Sequence, residues 1–505
     1  MLRPLLSVVL CAAMVPLVSA ASGSAPVTTR RVVLPAFVPA ARVASKQLST
    51  DPFTNSTSQH KTELEPDVFA YGTTEVAAFQ EGRFYDGGSS DVGWATSTNA
   101  GKTWSHGVLP GITRVQNPSN PYDRDTDPAV AYDSKHGLWL IATLPLIDAS
   151  SAIGQMPLVS ASADGKHWMK PVLVAPNNGD YIDKDWIACD NWSKSPYLGR
   201  CYVEFDDVYQ GDAIMMSTST NGGQSWSAPY SVGEYGLGGV PQVLPNGTVV
   251  VPYSDDYGGT SAFVSSDGGK SWGNNVLIAT VNWHGTAGNM RTEPLPSSAI
   301  DGSGRLYVVW QDCSFRANCA ENDIVMSTTT DGTNWTAESR IPIDPVNSSV
   351  DHFIPGIAAD ITTGASGAHL GLTYYYFPQT NCPSSSCQLL VGYVGSTDGG
   401  QTWSAPKTLT QAMNVAWIAQ TDQGNMVGDY IATAFSSGVA HGIFAIAKPP
   451  SGSTLDEYAA TNAAGLPATD GMMRFSSRGE RPLPGAHSDT AKRYPPGIYH
   501  AFGNE

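Results

Sequence analysis

Short stretches with the alternation of a strand recur along the whole chain. Asp323-Ile-Val-Met-Ser327 and Ser404-Ala-Pro-Lys-Thr-Leu409 are of this kind, and a side-chain period of two puts one face of each in a core. Gly304-Arg-Leu-Tyr-Val-Val-Trp310 is rich in β-branched and aromatic residues and is read as a further strand. Turn residues bound each stretch, so the pattern predicts many short strands and an all-β chain.

One turn sequence recurs six times between such strands. The copies are Ser97 to Trp104, Ser162 to Trp168, Ser219 to Trp226, Ser265 to Trp272, Thr329 to Trp335 and Ser396 to Trp403, with successive Trp residues 64, 58, 46, 63 and 68 positions apart. A period of this length marks a solenoid, a propeller or an array. Asp or Asn in each copy can accept from backbone N–H groups just ahead of it, and Gly supplies the left-handed bend. Trp covers a large apolar area between stacked units. Six equal turns cannot all face one active site, so their role is read as structural.

These copies are similar to Asp boxes, the S-x-D-x-G-x-T-W bacterial neuraminidase repeats of sialidases and related propellers. The likeness spans about residues 60 to 450, with SADGKHW and TTDGTNW as shortened variants. It implies a single sialidase-like β-propeller, seven blades rather than six. The boxes would sit on the turn between third and fourth strands, on the face away from the ligand. In the fifth unit that assigns Leu295 to Ile300 as the inner strand and Glu338 to Ile343 as the outer. The same division starts again at Glu65, Asp127, Asp185, Val240 and Phe353. A last unit without a box has Met426 to Phe435 and Val439 to Ala447, which Arg31-Val-Val-Leu34 would complete. The expected organisation is a signal peptide over 1–20, a leader over 21–62, the propeller over 63–450 and a tail over 451–505.

Composition narrows the partners. With 28 Lys+Arg against 45 Asp+Glu the net charge is -17, which repels phosphate backbones and argues against nucleic acid. Arg3, the apolar stretch Leu5 to Leu17 and Val18-Ser19-Ala20 have the order of a secretory leader, too short to span a membrane. Export to an oxidising compartment agrees with six cysteines beyond that leader. They fall as three close pairs, Cys189 with Cys201, Cys313 with Cys319 and Cys382 with Cys387, which predicts three local disulfides. None has the C-x2-C spacing or neighbouring His of a zinc site. A secreted monomer is expected.

If the boxes mark one face, the starts of inner strands converge on the other. Asp127, Asp185, Arg291, Glu293, His352, Asp429 and Tyr430 all lie at or just before inner strands. Carboxylates close to Arg and His can hold different protonation states at one pH, as acid and base catalysis needs. Ends of second strands add Glu204, Asp206, Asp207, Asp255, Asp256 and Asp312. The spacing of Asp123, Asp125 and Asp127 starts like an EF-hand, but Pro128 replaces its Gly and Ser134 its Glu. No cofactor is expected, although a looser Ca²⁺ site among these carboxylates stays open. Sequons at Asn55, Asn191, Asn246, Asn334 and Asn347 matter only in a glycosylating host.

The sialidase resemblance implies three arginines on a substrate carboxylate, a Tyr nucleophile activated by Glu, and an Asp acid/base. The family's R-I-P motif precedes the first box; here the single copy is Arg340-Ile341-Pro342, after Trp335 on an outer strand. Arg124, Arg291 and Arg316 are the substitutes, with Glu293, Tyr430 or Tyr181, and Asp127 or Asp67. Three readings follow. One is a secreted sialidase-like glycoside hydrolase. Another is a lyase on uronic acid polymers with His352 or Tyr430 as base. The third is a non-catalytic propeller that binds glycan or protein through Trp186, Trp283, Tyr374 and Tyr376.

Overall fold

A computed structural model describes residues 42–148 and 152–468. The expected signal peptide, the leader up to residue 41 with Arg31–Leu34, and the tail beyond 468 lie outside the described residues. The described chain is all-β, its strands antiparallel and joined by short turns, with single-turn 3₁₀ segments between them. No helix among the described residues is long and apolar enough to cross a membrane.

Seven four-stranded meanders follow one another. The first runs through Glu63–Tyr71, Thr74–Arg83, Ser89–Ser97 and Ser105–Val108, and the second through Arg124–Asp133, Leu138–Asp148, Leu158–Ser162 and Val172–Leu173. The third takes Ile182–Cys189, Cys201–Asp207, Ala213–Ser219 and Tyr230–Leu237; the fourth takes Gln242–Val243, Val249–Asp255, Gly259–Ser265 and Gly273–Thr280. Ser297–Ile300, Leu306–Asp312, Asp323–Thr329 and Ser339–Arg340 form the fifth, and Asp351–Ala359, Leu370–Phe377, Gln388–Ser396 and Lys407–Thr408 the sixth. The seventh joins Ala432–Ser436, Val439–Ser451 and Thr454–Asn462 to Ser45–Gln47 from the other end of the chain. Its outer strand is thus Ser45–Gln47, out of the stretch read as a leader, and its third strand comes from the stretch read as a tail. Thr454–Asn462 covers the edge that Val439–Ser451 would otherwise leave, and Ser45–Gln47 covers the edge of Thr454–Asn462 in turn.

Apolar cores lie between neighbouring meanders. Val76, Trp94 and Ile141 sit between the first and second, Leu140, Val203 and Phe205 between the second and third, and Tyr202, Tyr253 and Phe263 between the third and fourth. Further cores join the fourth to the fifth, the fifth to the sixth and the sixth to the seventh. The last joins Ile443 and Ala459 of the seventh to Val68, Ala77 and Phe79 of the first.

The six repeated turns explain how neighbours lock. Each lies between a third and a fourth strand, and each has the same bonds. In the sixth, Ser396 Oγ donates to Asp398 Oδ1 at 2.9 Å and accepts from Gly400 N at 2.9 Å, while Asp398 Oδ1 accepts from Thr402 N at 2.8 Å. The shortened copies keep this with one residue fewer: Thr329 Oγ1 accepts from Gly332 N at 2.9 Å and Asp331 Oδ1 from Asn334 N at 2.7 Å. The turn delivers its Trp backward into the core shared with the preceding meander, Trp168, Trp226, Trp272, Trp335 and Trp403 in order. Trp104 of the first meander reaches the core shared with the seventh. The boxless join between sixth and seventh is filled by Leu409, Met413, Val415 and Ile418 instead.

The three expected disulfides are present. Cys313–Cys319 and Cys382–Cys387 close loops between second and third strands, opposite the box turns, whereas Cys189–Cys201 joins the two strands that flank a turn on the box side.

Candidate functional site

The innermost strands begin with a shared irregularity. Register shifts interrupt the pairing between Leu64 and Asp67, Thr126 and Ala129, Asp183 and Asp185, and Phe353 and Gly356. At each shift one residue has a left-handed backbone: Glu65 (φ 56°), Asp127 (47°), Lys184 (42°) and Ile354 (47°). For residues with a Cβ this costs roughly 1–3 kcal/mol each, and a surrounding network must hold it. A bulge of this sort re-aims a side chain out of the strand's alternation. Here it turns Glu65, Asp127 and Lys184 toward one another.

The result is a buried ion cluster. Lys184 Nζ lies 2.6 Å from Asp429 Oδ2, 3.3 Å from Asp127 Oδ1 and 3.5 Å from Glu65 Oε1. Arg291 clasps the same Asp429 with two bonds, Nε to Oδ1 at 2.7 Å and Nη2 to Oδ2. Asp429 N donates to Glu65 Oε1 at 3.2 Å. Gln80 Nε2 bridges Glu65 Oε2 and Thr126 Oγ1, and Arg83 Nη1 donates to Gln80 Oε1 at 3.0 Å. Tyr430 closes the cluster from below: its hydroxyl donates to Pro128 O at 3.0 Å, and its ring meets Trp186 edge-on at 4.9 Å.

Burial and charge split the carboxyls. Burial alone would raise Asp429, but Arg291 and Lys184 hold it well below the usual carboxylate range. Asp127 is pushed up to about 8, because burial and Glu65 outweigh the pull of Lys184. Glu293 is raised by burial against the attraction of Arg291. Lys184 is raised despite its burial by Asp127, Asp429 and Glu65. The Tyr430 phenol is driven well above its ordinary value by burial, then by Glu65 and Asp127. Arg291 and Glu293 are only half-buried, whereas Glu65, Arg83, Asp127, Lys184, Asp429 and Tyr430 are enclosed.

Beneath the cluster the inner strands border an open cavity of about 300 Å³, lined by Val68, Ile187, Val243, Ala299, Ile357 and Ala434 among others. Trp186, Tyr430 and Asp67 line it too. Asp67 accepts from Val130 N at 2.7 Å, and burial lifts its carboxyl to about 7.

Of the residues expected to converge, the structure brings together Asp127, Arg291, Glu293, Asp429 and Tyr430, with Trp186 packed against them. Asp185 lies next to the group; burial raises its carboxyl, then Asp127, Asp125 and Glu204, and neither oxygen has a hydrogen-bond partner. His352 does not join. Its ring packs on Tyr374 and Tyr376 at 5.4 and 6.3 Å between the fifth and sixth meanders, beside the buried Asp323 and Asp344. Tyr374 and Tyr376 are buried as well and present nothing to a ligand. Arg124 reaches outward to Asp86 at 2.7 Å and over the Phe84 ring. Arg316 is fully buried, bonded to Asp323 Oδ2 at 2.7 Å and Asp344 Oδ1 at 2.9 Å, so the disulfide loop uses it as an anchor. Arg340 of the R-I-P sequence joins that network through Asp323 at 2.8 Å, on the outermost strand.

Glu65, Gln80, Arg83 and Lys184 were absent from the sequence-based site. Acid–Pro pairs were the available signal: Glu65-Pro66, Asp127-Pro128 and Glu293-Pro294 stand at equivalent strand starts. Nothing in the sequence marks Arg83 or Gln80, which arrive from a second strand.

No calcium loop forms at the Asp123 run: Asp123 bonds Arg114 at 2.7 Å, Asp127 faces Lys184, and Asp125 is raised by burial beside Asp91. Among the described residues one triad is close enough to hold a metal, Asp323, Asp344 and His352. Arg316 and Arg340 already neutralise both carboxylates, so it does not suit a cation.

No protein-family model matches the chain, and no curated protein matches it. Among solved structures it is similar to a Dyadobacter fermentans protein of unknown function, at 16% identity over 70% of this chain and 98% of that one, with a TM-score of 0.44. A Hadza microbial sialidase is similar at 14% identity, over 85% of this chain and 95% of that one, TM-score 0.43. A mutant Trypanosoma rangeli sialidase displaying trans-sialidase activity is similar at 13%, over 84% and 59%, TM-score 0.42.

Proposed function

We propose that the seven meanders are blades of one closed sialidase-like propeller, and that the protein is an exported glycoside hydrolase acting on a glycan end at the centre of the face opposite the box turns. Closure is supported by the seventh core, where Trp104 and Phe79 of the first blade meet Ile443 and Ala459 of the last. Export is supported by three disulfides.

The observation that carries the activity is the position of Arg291 and Glu293. They are two residues apart, and they are the charged members of the cluster that reach the outside. Arg291 would hold the substrate through its planar guanidinium, exchanging part of its contact with Asp429 for a ligand oxygen. Glu293, raised by burial, would give its proton to the glycosidic oxygen as the bond to the anomeric carbon breaks; a water would add to that carbon and return its surplus proton to the Glu293 carboxylate.

A second reading, binding without turnover, is favoured by the Tyr430 hydroxyl. It is buried and engaged with Pro128 O, so the nucleophile of the sialidase scheme is not presented. Purified protein assayed against aryl-sialosides, neutral aryl-glycosides and uronate polymers separates the two. Aglycone release that Glu293→Gln abolishes supports the hydrolase; ligand binding lost in Arg291→Ala with no turnover in the wild type supports the binding protein.

A further inference from the structure

The segment between Ser45–Gln47 and Glu63–Tyr71 passes from the seventh meander to the first. It carries a line of side chains that the ion cluster does not use. Asp51 Oδ2 lies 2.7 Å from His60 Nδ1, and His60 Nε2 lies 2.9 Å from Ser58 Oγ. Carboxylate, imidazole and hydroxyl thus stand in the order in which a base activates a serine. Asp51 is buried; its Oδ1 accepts from Phe53 N at 2.8 Å and its Oδ2 from Thr62 N at 3.3 Å. A carboxylate can only accept, so Nδ1 carries the hydrogen of the neutral ring and Nε2 turns its lone pair to Ser58.

Two further groups surround the hydroxyl. Asn55 Nδ2 donates to Ser58 Oγ at 3.0 Å and to Thr57 Oγ1 at 3.2 Å. Ser90 Oγ donates to Asn55 Oδ1 at 3.0 Å, which keeps the amide's N–H side toward Ser58, and lies 2.9 Å from Ser58 Oγ. Asn55 O is 2.8 Å from His60 Nε2, an acceptor for the proton once that nitrogen has gained it. The loop is pinned on both sides. Gln59 N donates to Arg83 O at 2.7 Å in the first meander, and Leu455 N to His60 O at 2.7 Å in the seventh. Gly82, with φ 75°, leaves room for the His60 ring and Ser90 Oγ, on which a Cβ would press. Ser58 is half-buried and Ser56 and Thr57 are exposed, so the loop opens to solvent beside the hydroxyl. A staple for the loop would need only the Asp51–His60 pair. It gives no reason for an amide donor on the same oxygen that the imidazole faces.

We propose that Ser58, His60 and Asn55 form a second catalytic site, an esterase for small acyl groups carried on an alcohol, with Asp51 and Ser90 as positioning residues. This site does not depend on the glycan reading of the central one. Ser58 Oγ bonds to the ester carbonyl carbon as its proton passes to His60 Nε2, and Asn55 Nδ2 donates to the oxyanion. The bond from that carbon to the alkoxide then breaks, and the alkoxide leaves with the proton from Nε2. Water adds to the acyl carbon and gives one proton to Nε2. The bond to Oγ breaks, Oγ takes that proton back, and the carboxylic acid departs. An ester suits a site with one amide donor, since its carbonyl is more electrophilic than an amide's and its alkoxide leaves more readily. A small acyl group suits a loop whose exposed residues, Pro52, Thr54, Ser56 and Thr57, build no enclosing apolar wall.

The test uses the full chain from a host that does not glycosylate, because Asn55 opens a sequon and a glycan would take its Nδ2. Diisopropyl fluorophosphate is expected to add one phosphoryl group per chain, located at Ser58 by peptide mass, and p-nitrophenyl acetate is expected to be turned over. Ser58→Ala should abolish both at an unchanged melting temperature. Asn55→Ala should lower kcat for the acetate by roughly 10²–10³-fold with little change in KM, which a role in loop packing alone would not produce. If Ser58→Ala unfolds the chain, the label on the wild type and the Asn55→Ala kinetics still decide. The site is overturned if the label lands elsewhere or nowhere, if p-nitrophenyl acetate is not turned over, or if folded Ser58→Ala hydrolyses it as the wild type does.

Discussion

Lys184 and Asp429, 245 positions apart, meet at 2.6 Å in the middle of the fold. One comes from the third meander and the other from the seventh, so their contact is made only when the first and last parts of the chain have both docked. Arg291, from the stretch before the fifth, completes the junction. This pair therefore reports on assembly of the whole described chain.

Lys184→Met should destabilise strongly. It removes the cation that faces Asp429, Asp127 and Glu65 and leaves buried carboxylates without a partner, at a cost of roughly 3–5 kcal/mol. Arg291→Ala, at a half-buried position, should cost less, since Lys184 still holds Asp429. Melting temperatures of the two variants check this order; equal losses would show that the cluster acts as one unit with no inner and outer members.

Burial lifts the Glu204 carboxyl to about 8 against a bond from neighbouring Asp206. The folded value lies above the unfolded one, so between them the folded chain holds the extra proton, and stability falls as pH climbs until the loss is complete above about 8. Glu63, Asp91 and Glu457 have the same sign and window, each raised to about 8 by burial. Asp429 works in the opposite direction, its share being lost only as pH drops below the carboxylate range. The chain is thus expected to melt higher at pH 5 than at pH 8.5. Glu204→Gln should narrow that gap by roughly 1–3 kcal/mol, and calorimetry at both pH values measures it.

The box tryptophans should not be equivalent. Trp403 is 2% exposed in the core between fifth and sixth meanders, so Trp403→Ala should cost roughly 3–5 kcal/mol. Trp104 is half-buried at the join of the seventh and first, and Trp104→Ala should cost clearly less. Denaturant midpoints decide it; a larger loss at Trp104 would mean that the join of the first and seventh meanders dominates stability.

Turnover, where an aryl-glycoside is found, should fall on the alkaline side as Glu293 loses its proton. Burial raises that carboxyl, so the limb should lie above the ordinary carboxylate range. Glu293→Gln should lower kcat by roughly 10²–10⁴-fold and remove the limb. A rate profile flat through that region in the wild type would take the acid role from Glu293.

The strands and turns were legible in the sequence because their causes are local. Alternation decides which side chains of Leu306–Asp312 or Asp323–Thr329 face a core, and Ser396, Asp398 and Gly400 close their turn with bonds spanning only a few residues. Three disulfides likewise followed from cysteines close along the chain. The outer strand of the seventh meander was not legible: Ser45–Gln47 is three residues long, and its pairing with Ala460–Asn462 is chosen by the free edge it meets. The site divided along the same line. That inner strands begin with Asp127, Arg291 and Asp429 could be read from the repeat, but which way a side chain points depends on a bulge, and a bulge shifts the register by one. For that reason Lys184, hidden between two acids in Asp183-Lys-Asp185, became the centre of the cluster, while His352 and Arg316 went to packing and anchoring. A period of two foretells the face of a regular strand; where the backbone leaves that period, only the surrounding charges decide.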